Sequence, residues 1–419
     1  MTLPADNAEA ASGTIRFNGR RRVYLRILAR GAVLLMFTLG IYRFWLTTDV
    51  RRFLWANTEI DGDGLEYTGT PLELLIGFLL AIVILIPVYT AFFIAALDLG
   101  TIGQLSGIIA FAGIGIMGQY AVYRARRYRL TRTVFRGLRF HQEGSAWRYA
   151  LCASFWWILT ALTLGLAYPF QLASLERFKM RYTYYGELGG EFTGSGLRLF
   201  LRGLAMWVVV MGPLLFAIYA FITMVNWYAI LLAVQEGGDD VMAVIEGASP
   251  LLGEAFVFAL LMGLLAMTAA ALLYPAFQAM VLRWWSSGLR FGTLEMRSTL
   301  RTRQVYAAYM RFLWYGGLFA IVAGICALPT LWLAERLGGE GASLAGEAGA
   351  AIVLVAGYVI MALGFSTIYR ATVMLSLWQL GMESLQLSGL SALDNVKAKG
   401  RASSPLGEGL ADALNVGGY

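Results

Sequence analysis

The chain has 419 residues, 58% hydrophobic and 14% charged, with 48 Gly and a mean hydropathy of +0.64, outside the mix of a water-soluble globular domain. Its net charge of +7 is carried by arginines that fall in groups. Two cysteines inside apolar runs, Cys152 and Cys326, exclude a disulfide scaffold and a thiolate cluster, and a single histidine, His141, argues against zinc and histidine-based catalysis.

Residues 1–13 lack the basic start of a signal peptide, so no cleaved leader is expected and this segment reads as a disordered N-terminus. Eight apolar windows follow, near 25–46, 72–97, 102–123, 147–170, 204–234, 255–282, 312–333 and 350–369. Each approaches or exceeds the roughly 20 residues that cross a ~30 Å hydrocarbon core. Runs of this length satisfy their own backbone in lipid as helices, not as barrel strands. The expected fold is an all-α integral membrane bundle of six to eight transmembrane helices from internal repeats, with short β-like polar segments on the cytoplasmic side. The expected division is 1–13; 14–123 with helices 1–3; 124–282 with helices 4–6; 283–380 with helices 7–8; and a cytoplasmic tail, 381–419.

No Lys or Arg occurs from Phe53 to Tyr123 or from Gly203 to Leu282, and Arg336 alone lies between Arg311 and Arg370, so each stretch reads as a helical hairpin. The second hairpin turns at Glu236, Asp239, Asp240, Glu246 and Glu254, the third at Glu335, Glu340 and Glu347. Between hairpins lie basic blocks: Arg124 to Arg139, Arg177 to Arg202 and Arg283 to Arg311. Positive-inside bias places these blocks in the cytoplasm and the acidic turns outside. The first and fourth windows have basic residues on both sides. They either cross or break and return, in which case Thr38-Leu39-Gly40 and Thr163-Leu164-Gly165 mark the breaks.

These two tripeptides belong to a repeat. A shift of 125 positions matches Gly19 with Gly144, Arg52-Phe53 with Arg177-Phe178, Thr58 with Thr183 and Thr68-Gly69 with Thr193-Gly194, among others. A weaker copy pairs Tyr168-Pro169 with Tyr274-Pro275, Arg177 with Arg283 and Gly186 with Gly292, and a shorter one starts at Arg127-Tyr128. The polar segments carry Thr, Tyr and Phe around Asp-Gly turn signals such as Asp61-Gly62, which predicts short hairpins. They either join into one sheet or cap beneath the bundle, or stand as separate interfacial loops.

Phe17-Asn18-Gly19, Thr38-Leu39-Gly40-Ile41-Tyr42 with Trp45, Arg51-Arg52-Phe53, Asn57-Thr58, Phe135 to Phe140 and the tail Leu406-Gly407-Glu408-Gly409-Leu410-Ala411-Asp412 resemble the YjgN family of bacterial inner-membrane proteins. The resemblance spans Thr14 to Tyr419 and implies a multi-pass inner-membrane protein built on a domain of unknown function, with no substrate or catalytic residue to carry over. Arg43-Phe44 departs from the family pattern of a small residue and Pro before the Trp.

Candidate chemistry is sparse. Arg26, Arg30, Asp98 and Arg370 are ionisable groups near window ends, where the bland reading is an interfacial side chain. Pro87, Pro213 and Pro329 interrupt first helices of hairpins, as kinks or as parts of a binding site. Gly103, Gly107, Gly113, Gly115 and Gly118 suit close helix packing. The basic blocks point to anionic lipid headgroups, not to nucleic acid. His141 reads as an ordinary surface or loop residue, Cys152 and Cys326 as packing residues, and Asp61 with Asp63 as only an echo of a calcium loop. No catalytic, cofactor or metal residue is assigned, and no enzyme motif is found. The leading expectation is a transporter or channel-like protein for a small solute or lipid; the alternative is a membrane scaffold or assembly factor.

Overall fold

Short runs of Thr, Tyr, Phe and aliphatic residues, folded back at glycine-bearing turns, form ten strands in the computed structural model, which describes residues 12–96, 101–236, 247, 249–339, 343–393, 396–399 and 404–414. They are β1 (Ser12–Phe17), β2 (Thr58–Ile60), β3 (Asp63–Tyr67), β4 (Thr133–Phe135), β5 (Leu138–Gln142), β6 (Thr183–Tyr185), β7 (Leu188–Phe192), β8 (Leu289–Phe291), β9 (Leu294–Ser298) and β10 (Leu385–Ser388). All pairings are antiparallel, and β1 joins both β2 and β10, so the sheet closes into a barrel. This overturns the all-α expectation: the polar segments pair with one another around a ring and leave no edge strand.

Alternation decides which medium the barrel meets. Ile15, Phe135, Phe140, Tyr185, Phe291 and Leu387 point inward and pack together. Outward positions include Arg16 opposite Glu59 and Arg290 ion-paired with Glu295 at 3.0 Å. An apolar lumen with a charged exterior is the reverse of a lipid-embedded barrel and fits water. Two hairpins turn through left-handed pairs, Asp61-Gly62 and Arg136-Gly137, the geometry that matches strand twist. A 3₁₀ turn at Leu390–Leu393 puts Leu390 and Leu393 into the core. The lumen keeps an apolar cavity of about 90 Å³.

The helices are α1 (Arg21–Phe37), α2 (Arg43–Ala56), α3 (Pro71–Ala96), α4 (Thr101–Arg132), α5 (Ala146–Leu162), α6 (Tyr168–Arg181), α7 (Gly196–Met224), α8 (Trp227–Glu236), α9 (Leu252–Ser286), α10 (Thr302–Gly338), α11 (Leu344–Tyr369), α12 (Leu375–Glu383) and α13 (Leu406–Ala413). A π turn at Arg370–Met374 joins α11 to α12. Residues 195–281 form a compact unit of their own; the rest of the chain, barrel included, forms the other.

Six helical spans are long and apolar enough to cross a membrane: Pro71–Ile94, Gly107–Arg132, Gly196–Met224, Leu252–Ser286, Thr302–Gly338 and Leu344–Glu383. Windows 25–46 and 147–170 are not among them. Each is a helical hairpin, α1–α2 and α5–α6, broken where Leu39 and Leu164 take φ of 49° and 50° and Gly40 and Gly165 take 90° and 91°. Thr38 and Thr163 hold both breaks identically, each hydroxyl donating to the carbonyl four residues back and accepting the amide four residues on. Because Phe17 and Thr58 are register partners, α1–α2 leaves and returns to the same barrel rim. At 14 residues α2 extends about 21 Å, too short for the hydrocarbon core.

Several finer expectations change. Residues 12 and 13 belong to β1, while 1–11 lie outside the described residues, as do Asp98, Asp239, Asp240, Glu246 and Glu340. Gly107, Gly113 and Gly115 face open space instead of a packed helix, and the surroundings of Gly103 are not among those described. Cys326 is exposed. His141 is not a surface or loop residue: it is buried on β5 and stacks on Tyr184.

Candidate functional site: a cationic vestibule over the barrel

Five helices, α2, α4, α6, α9 and α12, run directly into β2, β4, β6, β8 and β10, so their last turns ring one mouth of the barrel. Four are locked by one device. Arg52, Arg127, Arg177 and Arg283, each six residues before a strand, donate to the carbonyls of Gly69, Gly144, Gly194 and Leu300, each 17 residues further on. The charge-assisted bond ties each helix end to the far leg of its own hairpin. Gln379 holds the fifth position, where the strand pair β10–β1 joins the chain ends and has no continuous hairpin to tie.

Positions one residue earlier place Arg51, Arg126, Glu176 and Trp378 on the ring, and positions three residues later add Arg129, Lys179 and Trp285. Contacts bring these groups together over the mouth. Arg51 donates to Glu408 and to the Tyr67 hydroxyl at 3.0 Å. Arg126 donates to Thr183 Oγ1 at 2.9 Å and reaches Met180 Sδ at 3.6 Å. Glu176 accepts from Lys179 and, at 3.1 Å, from the Trp285 indole. Trp55 and Trp378 stand 4.9 Å apart and donate to Thr133 and Thr58.

The electrostatics are lopsided. Four cations, Arg51, Arg126, Arg129 and Lys179, meet two carboxylates, Glu176 and Glu408, among the described residues. Burial pulls the Lys179 ammonium below its ordinary range; Glu176 opposes this, while Arg126 and Arg129 push the same way. Burial also works against the Arg51 guanidinium, but Glu408 and Tyr67 outweigh it and hold Arg51 more firmly charged than usual.

Glu408 arrives from α13, which docks between α3 and α4. Its glycines permit this: a Cβ on Gly409 would lie 1.8 Å from the Gly77 carbonyl carbon, and one on Gly407 would lie 2.3 Å from Arg124 Cβ. Asp412 completes the dock with Arg43 at 2.5 Å, although burial and neighbouring Glu408 raise its carboxyl above the usual range.

The residues singled out from sequence mostly lie elsewhere. Arg30 pairs with Asp49 at 2.6 Å, and Arg370 approaches Tyr24. Asp61 and Asp63 face Arg136 of the neighbouring turn, at 4.0 and 2.5 Å. Pro87, Pro213 and Pro329 lie inside α3, α7 and α10. Sequence reasoning passes over Glu176 and meets Lys179 only within the basic block Arg177 to Arg202 and Glu408 only in the tail that carries the family resemblance, although the aligned arginines 52, 127, 177 and 283 mark the helix ends that carry the vestibule.

A closed barrel with a charged exterior, joined to six apolar helices of membrane-crossing length, marks a multi-pass membrane protein. Residues 12–413 match DUF898, a bacterial protein family of unknown function, and the chain belongs to that family, which is the YjgN family of the resemblance. No curated protein and no solved structure matches it.

Proposed function

We propose that the protein is a non-enzymatic scaffold of the bacterial inner membrane, with its barrel in the cytoplasm and its helices as anchors. The observation that carries this reading is how little of the anchors their own chain covers: between 6% and 22% of each most apolar window is buried. A solute pathway needs polar groups enclosed at membrane depth, whereas helices this bare present their faces to lipid. The arginine groups at the barrel mouth support the cytoplasmic orientation through the positive-inside bias and contact with anionic headgroups. The exposed tips of the two broken hairpins, Phe37, Leu39, Ile41 and Leu162, suit shallow insertion beside the spans. The shared breaks and the shared 17-residue clamp support descent from a duplicated helix–hairpin–helix unit.

The transport reading rests on Pro87, Pro213 and Pro329, and one assay separates the two. Protein reconstituted in liposomes is tested for flux of ions and small solutes, with Pro87→Ala and Pro213→Ala alongside. The scaffold reading predicts no protein-dependent flux; flux that either substitution alters overturns it.

A further inference from the structure

We propose that the vestibule binds a phosphate-bearing anion between Arg126, Lys179 and Gln142. Arg126 carries this site whether or not the protein is a scaffold. Its guanidinium donates only to neutral partners, Thr183 Oγ1 and Met180 Sδ, and no carboxylate lies within ion-pair distance of it among the described residues. Neighbouring carboxylates are engaged elsewhere: Glu176 holds Lys179 and Trp285, and Glu408 holds Arg51.

The second observation is Gln142. It is 4% exposed, and neither its amide nitrogen nor its amide oxygen makes a well-formed hydrogen bond, although the Tyr123 hydroxyl lies beside the amide. A buried amide without a well-formed hydrogen bond is costly. Gln142 and Thr183 are register partners across β5 and β6, so their side chains project from the same face. The Gln142 amide therefore shares its face with the hydroxyl that Arg126 grips. A tetrahedral oxyanion meets all three needs: it offsets the surplus cation, accepts a forked guanidinium, and accepts the amide N–H. A carboxylate offers two oxygens to this three-donor arrangement, whereas phosphate offers enough for Arg126, Lys179 and Gln142 together. The Lys179 side chain keeps 18% exposure, and Arg126 is partly buried.

Inorganic phosphate and a phospholipid headgroup share this chemistry, and the test distinguishes them. Full-length protein is titrated with inorganic phosphate in an uncharged detergent and, separately, reconstituted in phosphatidylcholine nanodiscs with and without phosphatidylglycerol. Thermal stabilisation and phosphorus NMR line broadening are read for wild type, Arg126→Gln, Gln142→Leu and the exposed control Arg148→Gln. Stabilisation by inorganic phosphate, weakened at least tenfold in Arg126→Gln and Gln142→Leu but not in Arg148→Gln, assigns the site to a free phosphate. The same pattern seen only with phosphatidylglycerol assigns it to the headgroup. Absence of both responses, or an equal response in all four proteins, overturns the proposal. Should Arg126→Gln fail to fold, Gln142→Leu decides alone, because it keeps a side chain of similar size and removes only the amide, which makes no well-formed hydrogen bond.

Discussion

Replacing Glu408 with Ala leaves the Arg51 guanidinium, with 3% of its side chain exposed, facing a void where its carboxylate stood. Removing one partner of a buried pair costs about 3–5 kcal/mol, chiefly as the penalty of an uncompensated charge. Tyr67 remains as a neutral acceptor for Arg51 and draws the expectation to the lower end of that range. Since about 1.4 kcal/mol is tenfold, docking of α13 weakens roughly 100- to 4,000-fold. Hydrogen exchange read by mass spectrometry over residues 406–413, in detergent at constant pH, reports this directly. Protection of that segment should collapse while that of β6 and β7 stays near wild type. Arg51→Met combined with Glu408→Leu removes both charges and should recover most of the lost protection, since apolar replacement of a buried pair is often neutral or better. Protection of 406–413 within threefold of wild type in Glu408→Ala, or a double variant worse than the single one, would refute the reasoning.

Three further outcomes are expected. Gly409→Ala should release α13 as thoroughly as Glu408→Ala, because the added carbon collides with backbone of Gly77 and Phe78 and no side chain can move aside; the same exchange measurement checks it. Phe135→Ala opens the barrel core at a residue only 2% exposed and should lower stability by about 3–5 kcal/mol, measured by thermal or denaturant unfolding in detergent. His141 has its imidazole held below the ordinary value of 6.5, with burial as the main cause, Glu143 opposing and Lys399 adding to it. The unfolded chain therefore takes up this proton first as pH falls, so stability should decline from about pH 6.5 downward, and His141→Gln should flatten that decline.

Helices were legible because each is specified locally: apolar runs fixed the spans, and Thr38-Leu39-Gly40 and Thr163-Leu164-Gly165 marked the breaks through their left-handed residues. Turns such as Asp61-Gly62 were legible for the same reason. The barrel was not, since its strands are three to six residues long and pair across long stretches of intervening helix, as Glu191 with Arg290 and Thr14 with Gln386. No local window carries such a pairing, and apolar composition of the surrounding helices dominates the averages. The vestibule was hidden for a related reason. Glu408 sits among small residues of a segment that reads as tail, and only the approach of Gly409 to Gly77 brings it to Arg51. Arg52 and Arg177 aligned in the repeat, yet their shared role appears only once the carbonyls of Gly69 and Gly194 are seen beside them.

Closure of the ring between the chain's first and last strands is the most direct test of the architecture. Thr14 and Gln386 are register partners on the outer face, at a separation within disulfide reach. In a background of Cys152→Ser and Cys326→Ser, Thr14→Cys with Gln386→Cys should crosslink under mild oxidation, whereas Thr14→Cys with Leu387→Cys should not, because Leu387 points into the lumen. Failure of the first pair to crosslink, or equal crosslinking of both, would contradict a closed barrel.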